Sequence, residues 1–194
     1  MKEIETLCKK FGSLFIIDEV QTGIGRTGTL FAYEQMGIDP HIVTTAKALG
    51  NGIPVGAMIG RKELGTSFTA GSHGSTFGGN YVAMAAAKEV LQVSKRLSFL
   101  KKYKKGRVRI TEVARELQHV ECIQNIRGKG LMVGIECTHE VASFIEQLEK
   151  RELVLQAGPN VIRLLPPLIV TNEELEQVVY MIKKVVCTKN VSII

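Results

Sequence analysis

Two ionisable side chains early in this 194-residue chain stand where chemistry is easiest to place. Asp18 follows the apolar run Leu14 to Ile17, and Lys47 lies just beyond a second run, His41 to Ala46. In open α/β sheets, ligands sit in the crevice outside the carboxyl ends of the strands, so both side chains can reach one pocket. A lysine beside apolar surface loses its proton more readily and becomes an amine able to form an imine. A carboxylate aimed at a pyridine nitrogen keeps that nitrogen protonated, which turns the ring into an electron sink. Spacing alone leaves a structural alternative open: a surface lysine, and a strand-end aspartate paired with Arg26 or a helix N-terminus.

Between these residues, IIDEVQTGIGRTG places Gly23, Gly25 and Gly28 in the G-x-G-x-x-G spacing of a dinucleotide-binding turn. That fingerprint needs its first glycine directly after the strand, a helix opening on the third, and an acidic residue ending the next strand. Here the stretch DEVQT intervenes, and Asp39 precedes the following strand rather than ending it. The spacing therefore predicts a tight irregular turn whose glycines supply unusual backbone angles and hold no phosphate. Arg163, in NVIRLLPP, is an isolated charge in an apolar strand. Burying it unpaired is costly, so it must meet an anion, either a structural carboxylate or a bound carboxylate ligand. His73 in the turn-rich GSHGSTFGGN reads as a turn or interface residue, since imine chemistry already has Lys47.

The elements that would position these groups alternate between helices and short apolar strands, which predicts an α/β chain. Helices are expected at Ile4 to Phe11, at Leu30 to Met36 and from Tyr81 to a break at or before Gly106. Strands are expected at Leu14 to Ile17, buried, and at His41 to Ala46 and Val55 to Gly60. The pattern then changes, and a domain boundary is placed near residue 95, giving units 1–94 and 95–194. The second holds a helix over Glu112 to Leu117, strands at Cys122 to Ile126 and Leu131 to Glu136, and a helix over Val141 to Arg151. Strands at Leu153 to Gln156 and Val161 to Leu165, a stop at Pro166-Pro167, and a helix from Asn172 to Val186 complete it. Short turns between strands beside covering helices suggest a small α+β domain.

Composition excludes several classes of function. Hydrophobic residues make up 45% of the chain, enough for a real core, yet no apolar run approaches the roughly 20 residues of a membrane span. The start MKEIETLCKK is charged and helix-like where a signal peptide needs an apolar stretch, so a cytoplasmic protein is expected. Cys8, Cys122, Cys137 and Cys187 are far apart, without a C-x-x-C, which predicts neither a metal site nor a disulfide framework but reduced, mostly buried thiols. Residues 1–94 carry 8 basic and 8 acidic side chains, so the net charge of +6 comes entirely from the second part. Much of it is the run Lys101 to Arg109, KKYKKGRVR, which reads as a solvated helix face and not a nucleic-acid site.

Three stretches in register, IIDEVQTGIGRTG, TTAKALGNGIPVGAMIG and HGSTFGGN, resemble the class III pyridoxal-phosphate-dependent aminotransferases, and the likeness spans nearly the whole chain. The resemblance implies part of a fold type I large domain with a mainly parallel sheet, followed by a small α+β carboxyl-terminal domain, in a homodimer. It implies pyridoxal 5'-phosphate as cofactor, bound through an imine to Lys47, which also shuttles the proton. Asp18 would hold the pyridinium, Val20 would pack on the ring, Gln21 would meet its phenolic oxygen, and Glu19 would support them. Thr76 would reach the cofactor phosphate and Ser75 the substrate across the dimer interface, while Arg163 would take the substrate's α-carboxylate. The stretch QAGPNVIRLLPPLIV narrows the likeness to members that pass the δ-amino group of N-acetylornithine to 2-oxoglutarate in arginine biosynthesis. Ornithine and other ω-amino acids are the alternative donors. Family members are roughly twice this length, in line with additional domains. The chain therefore looks like the carboxyl-terminal part of such an enzyme. The missing half would carry a glycine-threonine phosphate cup, a ring-stacking aromatic and a second carboxylate-binding arginine, and a non-catalytic remnant is the other reading.

Overall fold

The computed structural model describes residues 1–96, 114–149 and 154–188. The chain divides into two compact units, Met1–Leu100 and Lys101–Ile194. The basic run Lys101 to Arg109 and the far end of the helix expected to break by Gly106 lie outside the described residues, as does the side chain of Cys187.

The first unit opens with α1 (Lys2–Phe11), whose acidic Glu3 and Glu5 and basic Lys9 and Lys10 match the charge asymmetry of a helix. Gly12 ends it in the left-handed region at φ 63°. Three strands follow, β1 (Ile16–Asp18), β2 (Ile42–Thr45) and β3 (Ala57–Gly60), in the order β1-β2-β3. β1 and β2 are parallel, with Asp18 opposite Thr44, whereas β2 and β3 are antiparallel. The sheet of the described residues is thus mixed, not mainly parallel. The expected helix at Leu30 to Met36 is a single 3-10 segment, Ala32–Met36, ended by Gly37 at φ 60°. α2 (Tyr81–Arg96) starts on Asn80, whose Oδ1 accepts the Ala83 N–H at 2.9 Å.

One face of β2 is covered. Val43 and Thr45 are buried on it, and Val43 joins Ile24, Phe31, Leu49 and Ala87 in a small core. The opposite face is open: Ile16 and Met58 on it are 55% and 50% exposed. The expectation of a buried first strand is therefore wrong for this chain. The apolar run is there, but none of the described residues covers the face that carries Leu14 and Ile16, both about half exposed.

The second unit closes on itself. β4 (Ile123–Lys129), β5 (Met132–Cys137), β6 (Leu155–Gln156) and β7 (Val161–Leu164) form an antiparallel sheet in the order β4-β5-β7-β6. Two helices, α3 (Ala142–Glu149) and α4 (Asn172–Thr188), accompany it. Ile135, Phe144, Leu148, Ile162 and Ile182 are each at most 1% exposed and make the centre of the core. α4 begins at a reciprocal cap, in which the Thr171 N–H donates to Glu174 Oε2 at 2.7 Å and the Glu174 N–H to Thr171 Oγ1 at 3.2 Å. Cys122 and Cys137 are buried and Cys8 partly buried, each a thiol outside any disulfide. Burial, with the neighbouring Cys122, pushes the Cys137 thiol up to about 11. Among the described residues no helix is long and apolar enough to cross a membrane.

Candidate active site

β1 ends on Asp18 and β2 ends two residues before Lys47, so the two parallel strands bring both residues to the carboxyl end of the sheet. Asp18 Oδ1 accepts two hydrogen bonds, from the Val20 N–H at 2.8 Å and from Thr44 Oγ1 at 3.3 Å. The Glu19 N–H donates to the Thr44 carbonyl at 2.8 Å and extends the ladder past the strand end. Among the described residues Oδ2 of Asp18 has no donor, and the carboxylate makes no ion pair with Arg26. The side chain of Asp18 is exposed on the uncovered side of the sheet.

Lys47 opens a 3-10 turn, Lys47–Leu49, in the left-handed region at φ 47°. A β-carbon there costs about 1–2 kcal/mol. The turn holds because Leu49 is buried in the small core and the Gly50 N–H donates to the Lys47 carbonyl at 3.0 Å. Gly50 has no alternative, since a Cβ would fall 1.9 Å from the Ile53 carbonyl oxygen. The run AKALGNG is in this way a tight backbone device that fixes where Lys47 leaves the strand. Its ammonium is exposed and has no partner among the described residues. An amine and a carboxylate oxygen, both without a partner among the described residues, suit a pyridine ring held between a covalent link and an acceptor for its nitrogen.

The glycine stretch behaves as a turn. Gly25 and Gly28 lie at φ 90° and 101°, and a Cβ on Gly23 would meet the Glu19 carbonyl oxygen at 2.7 Å. Its amides are consumed within the turn: Gly23 N–H donates to Glu19 O at 2.9 Å, Gly25 to Leu30 at 3.2 Å and Gly28 to Gly25 at 2.9 Å. No helix opens on Gly28. Glu19 is 1% exposed, and its carboxylate accepts the Tyr33 N–H at 2.8 Å and the Thr22 hydroxyl. Its part is to tie the turn to the following segment, and both its oxygens are occupied in doing so. Val20 is half-buried and Gln21 exposed.

The remaining candidates stand apart. Ser75 Oγ accepts the Gly78 N–H at 3.1 Å, Thr76 and His73 are exposed, and among the described residues none of the three hydrogen-bonds to Asp18, Thr44 or Lys47. In the second unit, Arg163 on β7 sits opposite Gly134 of β5 and Leu155 of β6. Its Nε is buried without a hydrogen-bond partner, and no carboxylate among the described residues pairs with the guanidinium. Of the two anions anticipated for Arg163, the structural carboxylate is thus not found. A cavity of about 370 Å³ opens between the end of β7, Pro166-Pro167 and α4, but its lining is mostly apolar.

Two residues escaped the sequence reading. Thr44 is the partner of Asp18, and Thr45 is buried with an unpartnered Oγ1. The signal was two consecutive hydroxyls closing an apolar strand, IVTT, where one of them must face each side of the sheet.

The family model for Aminotransferase class-III matches residues 1–186. An acetylornithine aminotransferase of Bacillus anthracis is 91% identical over an alignment covering 100% of this chain and 51% of that protein. One from Bacillus subtilis is 51% identical over 96% of this chain and 49% of its own length. Among solved structures, acetylornithine aminotransferase from Elizabethkingia anophelis matches with a TM-score of 0.88 at 34% identity, over 96% of this chain and 49% of its own. Ornithine δ-aminotransferase of Plasmodium falciparum matches with 0.91 at 30%, over 100% and 51%. The chain spans about half the length of the curated relatives it matches. With residues 1–186 inside the family match and a 91% identical relative aligned over the whole chain, the chain belongs to the class-III aminotransferase family.

Proposed function

We propose that this chain is one half of an aminotransferase that moves the δ-amino group of N-acetylornithine to 2-oxoglutarate in arginine biosynthesis. The observation that carries the reading is the pair at the sheet's carboxyl end, the Lys47 ammonium and Asp18 Oδ2, each without a partner among the described residues, in a chain 91% identical to a relative of that name. Class-III aminotransferases use pyridoxal phosphate, which when bound supplies an electron sink for the carbon that carries the amine. Lys47 Nζ would hold the cofactor covalently and, once released by substrate, move the proton at Cδ of N-acetylornithine. Asp18 Oδ2 would accept the hydrogen bond of the ring nitrogen, Val20 would lie against the ring, and Gln21 would meet its phenolic oxygen. Glu19 would hold their turn in shape from beneath.

Arg163 would receive the α-carboxylate, a role supported by its buried, unpartnered Nε. Ser75 and Thr76 would serve the site of a second protomer in a homodimer, Thr76 at the phosphate and Ser75 at the substrate. The exposure of the whole stretch from Gly65 to Tyr81 supports that reading. Residues 1–94 would be part of the large domain and 95–194 the small α+β domain, the latter supported by its self-contained antiparallel sheet. The protein would act in the cytoplasm.

A second reading is a remnant that keeps the fold without turnover. Purifying the chain alone, and joined to the remainder that its relatives possess, separates the two. Glutamate production from N-acetylornithine and 2-oxoglutarate by the joined protein is the expected result. A joined protein that binds pyridoxal phosphate without turning over would establish the remnant.

A further inference from the structure

The Asp18 carboxylate is not free to rotate. Two donors from different elements converge on the same oxygen, the Val20 N–H from the turn after β1 and the Thr44 hydroxyl from β2, and among the described residues none reaches the other oxygen. The Val20 bond alone fixes a distance but leaves the carboxylate plane to swing. A second donor from the neighbouring strand, placed by the Asp18 to Thr44 register, defines that plane. Because Thr44 stands on the same face of the sheet as Asp18, its hydroxyl reaches the carboxylate without distorting the strand.

We infer that Thr44 is a positioning residue, which saturates Oδ1 of Asp18 and so presents Oδ2 as the acceptor for a protonated ring nitrogen. The inference rests on the cofactor reading above and adds to it a residue that touches neither cofactor nor substrate. A hydroxyl is required and its methyl group is not, which separates this role from simple packing. Thr45, one residue on, faces the covered side of the sheet and has no part in it.

The test compares wild type, Thr44→Val and Thr44→Ser in the protein joined to the remainder of its length, with pyridoxal phosphate as the probe. Cofactor affinity, the absorbance band of the bound cofactor and the thermal midpoint of the cofactor-free protein are measured. Valine keeps shape and loses the donor, so affinity should fall roughly three- to tenfold, the range of one net hydrogen bond, and the band should shift. Serine should restore both. Normal uptake by wild type with an unchanged affinity and band in Thr44→Val would overturn the inference alone. So would a loss confined to the thermal midpoint, which would make Thr44 a purely structural strand residue. A wild-type protein that takes up no pyridoxal phosphate would overturn the cofactor reading and this inference with it.

Discussion

The two units are built from similar amounts of chain and differ in how they finish their cores. In the second, Phe144 is 1% exposed and Ile162 and Ile182 are 0% exposed, while Ile169 and Tyr180 remain 81% and 67% exposed. In the first, α1 buries no residue at all, and Phe11, Phe77 and Tyr81 are 70%, 82% and 92% exposed. The residues proposed for chemistry at Asp18 and Lys47 belong to the open unit. A site assembled at a sheet end needs walls, and the first unit has apolar surface that none of the described residues covers. The Ile4, Leu7, Phe11 stripe of α1 has the spacing of a buried helix face, yet each of these residues is about half exposed or more.

Truncation of the core should break this comparison most severely. Phe144→Ala in the second unit should cost about 3–5 kcal/mol in denaturant unfolding, as for a fully enclosed aromatic. Leu7→Ala on α1 of the same chain should change stability by no more than about 0.5 kcal/mol, as at an exposed site. Equal losses at the two positions would mean that the first unit is packed as well as the second.

The same contrast should appear in substrate use. Arg163→Lys in the joined protein should weaken use of N-acetylornithine by about 2–5 kcal/mol in kcat/KM, because lysine lacks the bidentate fork and a buried charge pair is lost. Cofactor affinity should stay close to wild type. Unchanged kinetics with a less stable protein would return Arg163 to a structural role in the closed unit.

Open apolar surface also has a colloidal consequence. The chain alone should self-associate, as contiguous exposed apolar patches promote, and sedimentation should show a mass that rises with concentration. Phe11→Lys combined with Ile16→Lys should reduce that association. A monodisperse monomer at all concentrations would show that these residues form no sticky patch.

How much of this was legible in the sequence follows the same division. The closed unit reads well: the strands at Ile123–Lys129 and Met132–Cys137 and the helix from Asn172 each lie within a few residues of their expected spans. There the signals are local, a cap of Thr171 with Glu174 and a stop at Pro166-Pro167. In the open unit, the positions of Asp18 at the end of its strand and of Lys47 just beyond its own were legible because apolar runs and turn residues mark strand ends. The burial of β1 was not, because burial is a property of whatever covers a strand. Nor was the bond from Thr44 to Asp18, which depends on a register between strands far apart in sequence.

The smallest expected effect lies in the thiols. Cys137, with its thiol raised to about 11 in the fold, binds its proton more tightly there than in the unfolded chain. Its contribution to stability is complete below the ordinary thiol range and is lost as pH rises from about 9 toward 11. Cys137→Val should flatten that part of the stability curve, by no more than about 2 kcal/mol. At pH 8, alkylation should reach the partly buried Cys8 well before Cys137. Equal rates at the two would contradict the closed core of the second unit.

The central claim is that Lys47, at the end of β2, is the residue that carries the cofactor. Borohydride reduction of the joined protein with pyridoxal phosphate, followed by peptide mapping, tests it most directly. The expected result is a pyridoxyl group on Lys47 alone. A pyridoxyl group on Lys62 or Lys88, with Lys47 unmodified, would contradict the account.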